Sequence, residues 1–345
     1  MTSYTGPLFD VQTHAIMPRS YEQVTGAINS HSGLTDATKN IIANDICKEM
    51  ADNLAGSARK TVLGDQNIHV VTVNTFFPPL PACQLIAICN QINDWMARET
   101  AGNPQLIGIA SVPSPPILAE AGPRFVEMGV ESIRSAVTKQ GLQGLLFASN
   151  YNNIFLGHLS FDPFFDLAAQ LGVPVIIHPA VHPIEEQFLN YKNIGGFSGF
   201  LNDQRTTLLD LVMAGVLEKY PDLTLIATHL GGGILTSLGR FEVISARFPE
   251  ELWYVDKDGS RQLLPAPIEA YLKRVYYDCN NASVEDIAHA ASKVGSGHLL
   301  SGTDFPWTGD EYTRKILGEF DDETKEKIAY SNAAKLFSVS KKMRE

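Results

Sequence analysis

Basic residues are scarce. The chain has 27 Lys and Arg against 38 Asp and Glu in 345 residues, a formal charge of −11. No basic run exceeds Lys341-Lys342-Met343-Arg344, so the chain lacks the positive footprint that nucleic acid requires. Cysteine is equally sparse. Cys47, Cys83, Cys89 and Cys279 make no CxxC, no zinc-finger spacing and no disulfide framework, and free thiols in a reducing compartment are expected. No apolar run approaches the roughly 18 residues that a membrane span needs. The opening stretch from Met1 to Pro7 has neither a positive n-region nor an apolar h-region, so the expected location is cytoplasmic. A glycine-rich turn after an early strand is also missing. Gln12-Thr13-His14-Ala15 stands there instead, which argues against a doubly wound dinucleotide-binding sheet.

What the chain does have is a regular alternation. With 44% hydrophobic residues it can fill a core. Eight short apolar, β-rich runs recur: Leu8–Gln12, Ile68–Asn74, Leu106–Ser111, Leu142–Phe147, Val173–His178, Leu223–His229, Arg274–Asp278 and His298–Ser301. Helical patterns lie between them, among others Lys39–Asn53, Cys83–Thr100, Phe125–Lys139, Asp162–Gln170 and Thr206–Lys219. Eight strands alternating with helices predict an α/β fold, a (β/α)8 TIM barrel. The stretches after strands 1 and 5 are too long for simple loops and are expected to carry insertions over the barrel mouth. No repeat or composition shift marks a boundary, so residues 1–345 are read as one domain.

Polar residues gather at the strand ends. Gln12 and His14 close the first strand two residues apart, on one face of an extended chain. His178 ends the fifth strand, His229 ends the sixth, and Asp304 follows the eighth. Strand C-termini of a barrel converge on one mouth, where active sites are built. Imidazoles and a carboxylate meeting there form a ligand set for zinc or a related divalent ion with an open position. His182, four residues beyond His178, is a candidate for the pocket wall. Phe76, Phe77, Phe305 and Trp307 lie near strands 2 and 8 and are candidates to flank a substrate ring. His31, His69, His158, His289 and His298 lack such placement and are expected to be structural or exposed.

These residues also carry a resemblance. The chain resembles the amidohydrolase-related superfamily, in the branch of aminocarboxymuconate-semialdehyde decarboxylase and the metal-dependent aromatic acid decarboxylases such as γ-resorcylate decarboxylase. The similarity runs through Phe9-Asp10-Val11-Gln12-Thr13-His14, Gly172-Val173-Pro174-Val175-Ile176-Ile177-His178-Pro179, His229-Leu230-Gly231-Gly232, Ser301-Gly302-Thr303-Asp304-Phe305-Pro306 and Ser331-Asn332-Ala333-Ala334-Lys335-Leu336-Phe337. It implies one divalent metal, Zn or alternatively Mn, held by Gln12, His14, His178 and Asp304. It also implies that His229 serves proton transfer and that Arg240, eleven residues further on, meets a substrate carboxylate. One position departs from the pattern. The family has His or Glu where this chain has Gln12, whose neutral amide is a weaker donor. Three arrangements follow: Gln12 ligates, or His14, His178 and Asp304 hold the metal alone, or the site is metal-free.

The resemblance points to a carboxy-lyase, a non-oxidative decarboxylase of a small aromatic or unsaturated carboxylic acid. In that reading His229 and Asp304 are catalytic, and Arg240, Phe305, Trp307 and His182 bind substrate. A metal-dependent hydrolase of an ester, lactone or amide is the alternative, and a metal-poor binding protein is a second one. The expected partners are a small carboxylic acid and further copies of the chain, as a homodimer or homotetramer. Nucleic acid and membrane are not expected.

Overall fold

Side chains that alternate along short apolar strands organise the molecule. The computed structural model describes residues 3–30, 34–52, 54, 57–73, 80–180 and 194–337. Eight strand positions among them form a parallel barrel: β1 (Phe9–His14), β2 (Ile68–Thr72), β3 (Leu106–Gly108, continued at Ala110–Ser111), β4 (Leu145–Ala148), β5 (Val175–His178), β6 (Leu225–Ala227), β7 (Tyr276–Asp278) and β8 (Leu299–Leu300). Neighbours pair in parallel in chain order, from β1 with β2 to β7 with β8. The two parts of β3 join the pairings on either side, because Ile109 N donates to Val71 O at 3.1 Å and Ala110 N to Gly144 O at 2.9 Å.

The barrel closes between β1 and the segment around β8. Parallel bridges join Asp10 to Ser301 and Thr13 to Phe305. Val11 N donates to Ser301 O at 2.9 Å, and His14 N to Phe305 O at 2.8 Å. The TIM-barrel expectation therefore holds.

The period of two sorts the strand residues into two cores. Phe9, Val11, Ile68, Val70, Ile107, Ile109, Leu146, Ile176, Ile226 and Leu300 point inward and fill the barrel. Their neighbours, such as Leu145, Phe147, Val175, Ile177, Leu225, Ala227 and Tyr277, pack outward against the helices. Tyr330 and Phe337 plug the lower end, where the Phe9 ring meets them at 5.6 and 5.7 Å between centroids. Continuing the inward row to the upper end puts Thr72, His178 and Asp278 at the mouth.

The β1–β2 connection carries helices Tyr21–Ser30, Asp36–Asn40, Cys47–Asp52 and Ser57–Leu63. The β5–β6 connection is described only from residue 194 onward, so the expected lid there lies largely outside the described residues. Two antiparallel hairpins were not anticipated: Asn150–Tyr151 with Ile154–Phe155, and Trp253–Val255 with Arg261–Leu263. The helix expected over Thr206–Lys219 is two helices, Phe200–Met213 and Val216–Lys219. Gly215 breaks it, with φ +66° and the Tyr254 ring packed where a Cβ would stand. All four cysteines are free, as expected. Among the described residues no helix is long and apolar enough to cross a membrane.

Candidate metal centre and its surroundings

The first strand reaches the mouth through an irregularity. Asp10 pairs with His69 and Thr13 with Val71, so β1 holds one more residue than β2 in this stretch. Both Gln12 and His14 then arrive beside Asp304. His14 Nε2 lies 2.7 Å from Asp304 Oδ1, and Gln12 Nε2 donates to the same oxygen at 3.2 Å. The His14 and His178 rings meet edge to face at 4.9 Å, and His178 and His229 at 5.7 Å.

Hydrogen bonds assign the histidine nitrogens. The Thr72 hydroxyl gives its single hydrogen to Thr13 O at 3.1 Å, so it accepts from His14 Nδ1 at 2.9 Å. His178 Nδ1 donates to Pro179 O at 2.9 Å. Both rings thus anchor Nδ1–H and keep Nε2 for another task, which is how metal-binding histidines are oriented. One ligand atom each from His14, His178 and Asp304 lies within 4.8 Å of the others. Burial, with His14 and His229 nearby, holds His178 well below the ordinary histidine range, so it is a neutral donor. Burial works to raise Asp304. The hydrogen bond from His14 and the neighbouring His14, His229 and His178 outweigh it, and the carboxyl sits below its usual range. Two imidazole nitrogens and an ionised carboxylate suit one divalent cation. Gln12 Oε1, buried and without a hydrogen-bond partner, is a further oxygen at the same place.

Two of these side chains sit on strained backbone. His229 has φ +51° and Asp304 φ +65°, a left-handed conformation that costs a non-glycine residue on the order of 1–3 kcal/mol. Local bonds hold each in place. His229 N donates to Asp278 Oδ1 at 2.8 Å, and Asp304 N to Gln12 O at 2.9 Å. The left-handed turn continues from His229 through Leu230 and Gly231 to Gly233. At Gly232 a Cβ would meet the Leu201 carbonyl, so the turn lies directly on helix Phe200–Met213. Arg205 Nη2 caps the Gly232 carbonyl at 3.0 Å.

A second layer supports the first. Arg59 is fully buried and donates to His14 O at 2.7 Å, to Thr13 Oγ1 at 2.9 Å and to His69 Nδ1 at 3.0 Å. Asp10 accepts from Gln12 N and Thr303 N, both at 3.1 Å, and from the Thr303 hydroxyl. Burial pushes the Asp10 carboxyl up to about 7 despite these bonds. Asp278 is raised well above the usual range by burial, and its Oδ2 has no partner. Asn280 Nδ2 lies 3.0 Å from His229 Nδ1. Asp10, Arg59, Asp278 and Asn280 were not singled out from the sequence. Asp278 could have been, since it ends the seventh strand as His178 ends the fifth. Arg59 gives no such signal.

The remaining expected residues separate. Phe305 is only 4% exposed, with Arg59 5.1 Å above its ring and His69 at 5.9 Å. It packs beneath the site, and this corrects the expectation that it flanks a substrate. Trp307 is 43% exposed. Arg240 is exposed on helix Leu238–Arg247, with no ion pair among the described residues. His182, Phe76 and Phe77 lie outside the described residues.

Comparison with known proteins follows the same lines. The amidohydrolase family matches residues 79–339, which leaves Gln12 and His14 before the matched segment. The chain is 23% identical over 257 residues to 2-amino-3-carboxymuconate-6-semialdehyde decarboxylase of Dictyostelium discoideum, covering 73% of this chain and 67% of that one. It is 23% identical to γ-resorcylate decarboxylase of Polaromonas sp., covering 76% and 81%. Among solved structures, 5-carboxyvanillate decarboxylase from Sphingomonas paucimobilis superposes with a TM-score of 0.77 at 18% identity, over 97% of this chain and all of that one. A dihydroxybenzoic acid decarboxylase from Polaromonas sp., with bound manganese and 2-nitroresorcinol, gives 0.76 at 17% identity over 97% of each.

Proposed function

The chain belongs to the amidohydrolase family, and from that premise we propose that it is a metal-dependent, non-oxidative decarboxylase of a small aromatic or unsaturated carboxylic acid. The observation that carries this reading is the convergence of His14, His178 and Asp304, with His229 beside them. The names of the relatives support the reaction class. One divalent cation would be held by His14, His178 and Asp304. Zinc suits these donors, and manganese is the ion in a neighbouring structure. Bound there, the cation supplies Lewis-acid charge that favours an anionic substrate and tolerates the charge left on it.

The chain's own groups then manage a proton. Decarboxylation breaks the bond from carbon to carboxylate, the electron pair stays on carbon, and a proton must reach that carbon as CO2 leaves. Asp304 is held ionised and burial lowers His229, so it is neutral. The pair takes up a proton from the substrate's acidic group or from solvent and returns it to the carbon. Arg240 and Trp307, both exposed, are assigned to the substrate, the guanidinium to a carboxylate that the cation does not hold. The whole chain is taken to act as one catalytic unit, in the cytoplasm and as a homo-oligomer.

The test is a scan of acids for CO2 release, with metal-stripped protein and after reloading with Zn²⁺ or Mn²⁺. The acids named for the relatives, γ-resorcylate, 6-methylsalicylate and 5-carboxyvanillate, come first. Metal-dependent release from one of them is expected. Cleavage of esters or lactones without CO2 release from any acid would overturn the assignment.

A further inference from the structure

The hydrogen bonds around His229 do not balance with the neighbouring amides as they stand. A neutral imidazole has one N–H and one lone pair. Asn280 Nδ2 lies 3.0 Å from Nδ1, and Gln12 Nε2 lies 3.0 Å from Nε2. An NH2 group therefore faces each ring nitrogen, although only one of them can accept. At the same time Gln12 Oε1 and Asn280 Oδ1 are buried and have no partner among the described residues. One of the two amides must present its oxygen to the ring, since amide orientation follows the hydrogen-bond network.

The surroundings decide which one. Gln12 Nε2 also donates to Asp304 Oδ1 at 3.2 Å. Turning Gln12 over would set its carbonyl oxygen against an ionised carboxylate. Turning Asn280 over brings Oδ1 to Nδ1–H and sets the NH2 group where Oδ1 now stands. The two hydrogens of Gln12 Nε2 then serve two acceptors, His229 Nε2 and Asp304 Oδ1.

We propose that Gln12 and Asn280 are positioning residues that bracket His229. Asn280 Oδ1 fixes the Nδ1–H tautomer, and Gln12 Nε2 ties the Nε2 lone pair to Asp304. Gln12 belongs in this account to the proton-handling pair and is not a metal ligand. Glu at this position has no hydrogen to give, and His has a single N–H on any one nitrogen. Of these three side chains, only the amide offers two hydrogens from one atom to two acceptors. The proposal rests on the reading of His229 as a proton carrier, but its first test needs neither substrate nor metal.

Histidine-selective ¹⁵N NMR of the metal-free protein, above neutral pH, reads the tautomer directly, with the His229 signal identified by its loss in His229→Gln. Wild type should show Nδ1–H. Asn280→Asp, which offers only oxygen, should keep it, and Asn280→Ala should move His229 towards Nε2–H. Nε2–H in wild type, or a tautomer unmoved in folded Asn280→Ala, overturns the bracket. If Asn280→Ala does not fold, wild type and Asn280→Asp still decide. The second test uses Gln12→Met, of similar length but with no donor. Its Zn²⁺ affinity, by chelator competition, should stay within about tenfold of wild type, less than the loss typical for groups that support metal ligands. On the acid that releases CO2, its kcat should fall about 100-fold, as a misplaced catalytic group implies, with KM nearly unchanged. A larger loss of affinity makes Gln12 a ligand, and an unchanged kcat removes its positioning role. Failure of the decarboxylase reading would appear separately, as absent CO2 release with the NMR result intact.

Discussion

His14 Nε2 and Asp304 Oδ1 stand 2.7 Å apart, though 290 residues of chain separate them. The other ring nitrogen is committed to Thr72, so a cation that uses His14 must take Nε2 and break this contact with Asp304. Adding Zn²⁺ or Mn²⁺ to the metal-free protein in weak buffer at neutral pH should release about one proton per ion. An indicator dye measures it. Uptake of the ion with no release would show that the Nε2 lone pair is already free.

Thr72 should matter to the metal although it never touches it. Thr72→Val keeps the shape and removes the acceptor of His14 Nδ1–H. Loss of such a partner costs about 10- to 100-fold in metal affinity. Calorimetric titration checks this, and an affinity equal to wild type would mean that packing alone orients the ring.

His178 and His229 should part company under substitution. His178→Ala removes a proposed ligand, so its loss of metal affinity should exceed that of Thr72→Val. His229→Ala should hold metal within about tenfold of wild type while kcat falls by ~10²–10⁴, the usual weight of general acid–base catalysis. Asp304→Asn should suffer both losses. Metal analysis beside steady-state kinetics separates the three.

Asp10 predicts a pH dependence of stability. Its carboxyl titrates near 7 in the folded protein against an ordinary 3.8. Between these values the folded state holds a proton that the unfolded state has released, so the contribution is full below about 4 and is lost as pH rises to about 7. Asp10→Asn removes this slope. The difference in Tm between wild type and Asp10→Asn should therefore move in favour of the variant from pH 5 to pH 8. A constant difference would show that Asp10 is ionised throughout.

Arg240 has no partner to lose among the described residues. Arg240→Lys should leave Tm unchanged and raise KM several-fold, since an ammonium cannot copy the guanidinium fork. An unchanged KM would take Arg240 out of the substrate's surroundings.

Much of this architecture was legible because barrel strands bury both faces. Their short apolar runs stand out, and the polar residue that ends each run marks the mouth, as with His178 after Val175-Ile176-Ile177. His14, His178, His229 and Asp304, which the folded chain brings together, were singled out in that way. The supporting layer was not. Arg59 comes from the β1–β2 connection, where no period places a side chain, and only the folded chain brings it to His14 O. Phe305 misled because its position next to Asp304 says nothing of its direction. The left-handed backbone at Asp304 turns the chain, and the ring goes under Arg59. Gly215 was read as part of a helix because a single glycine does not announce a positive φ.

The seam of the barrel passes through the metal centre. β8 is two residues long, and beyond it the backbone contact with β1 continues through the bonds from Val11 to Ser301, from His14 to Phe305 and from Asp304 to Gln12. The first and last strands, which the chain brings together over its greatest distance, are thus stitched in part by the backbone of His14 and Asp304, two of the residues proposed to hold the ion. An ion there acts as a clasp, fastening the head of the chain to its tail and adding its binding free energy to ring closure. Amides of Val11, His14 and Asp304 should then exchange with deuterium more slowly as metal occupancy rises, and a chain too damaged to close its ring has no site left to load.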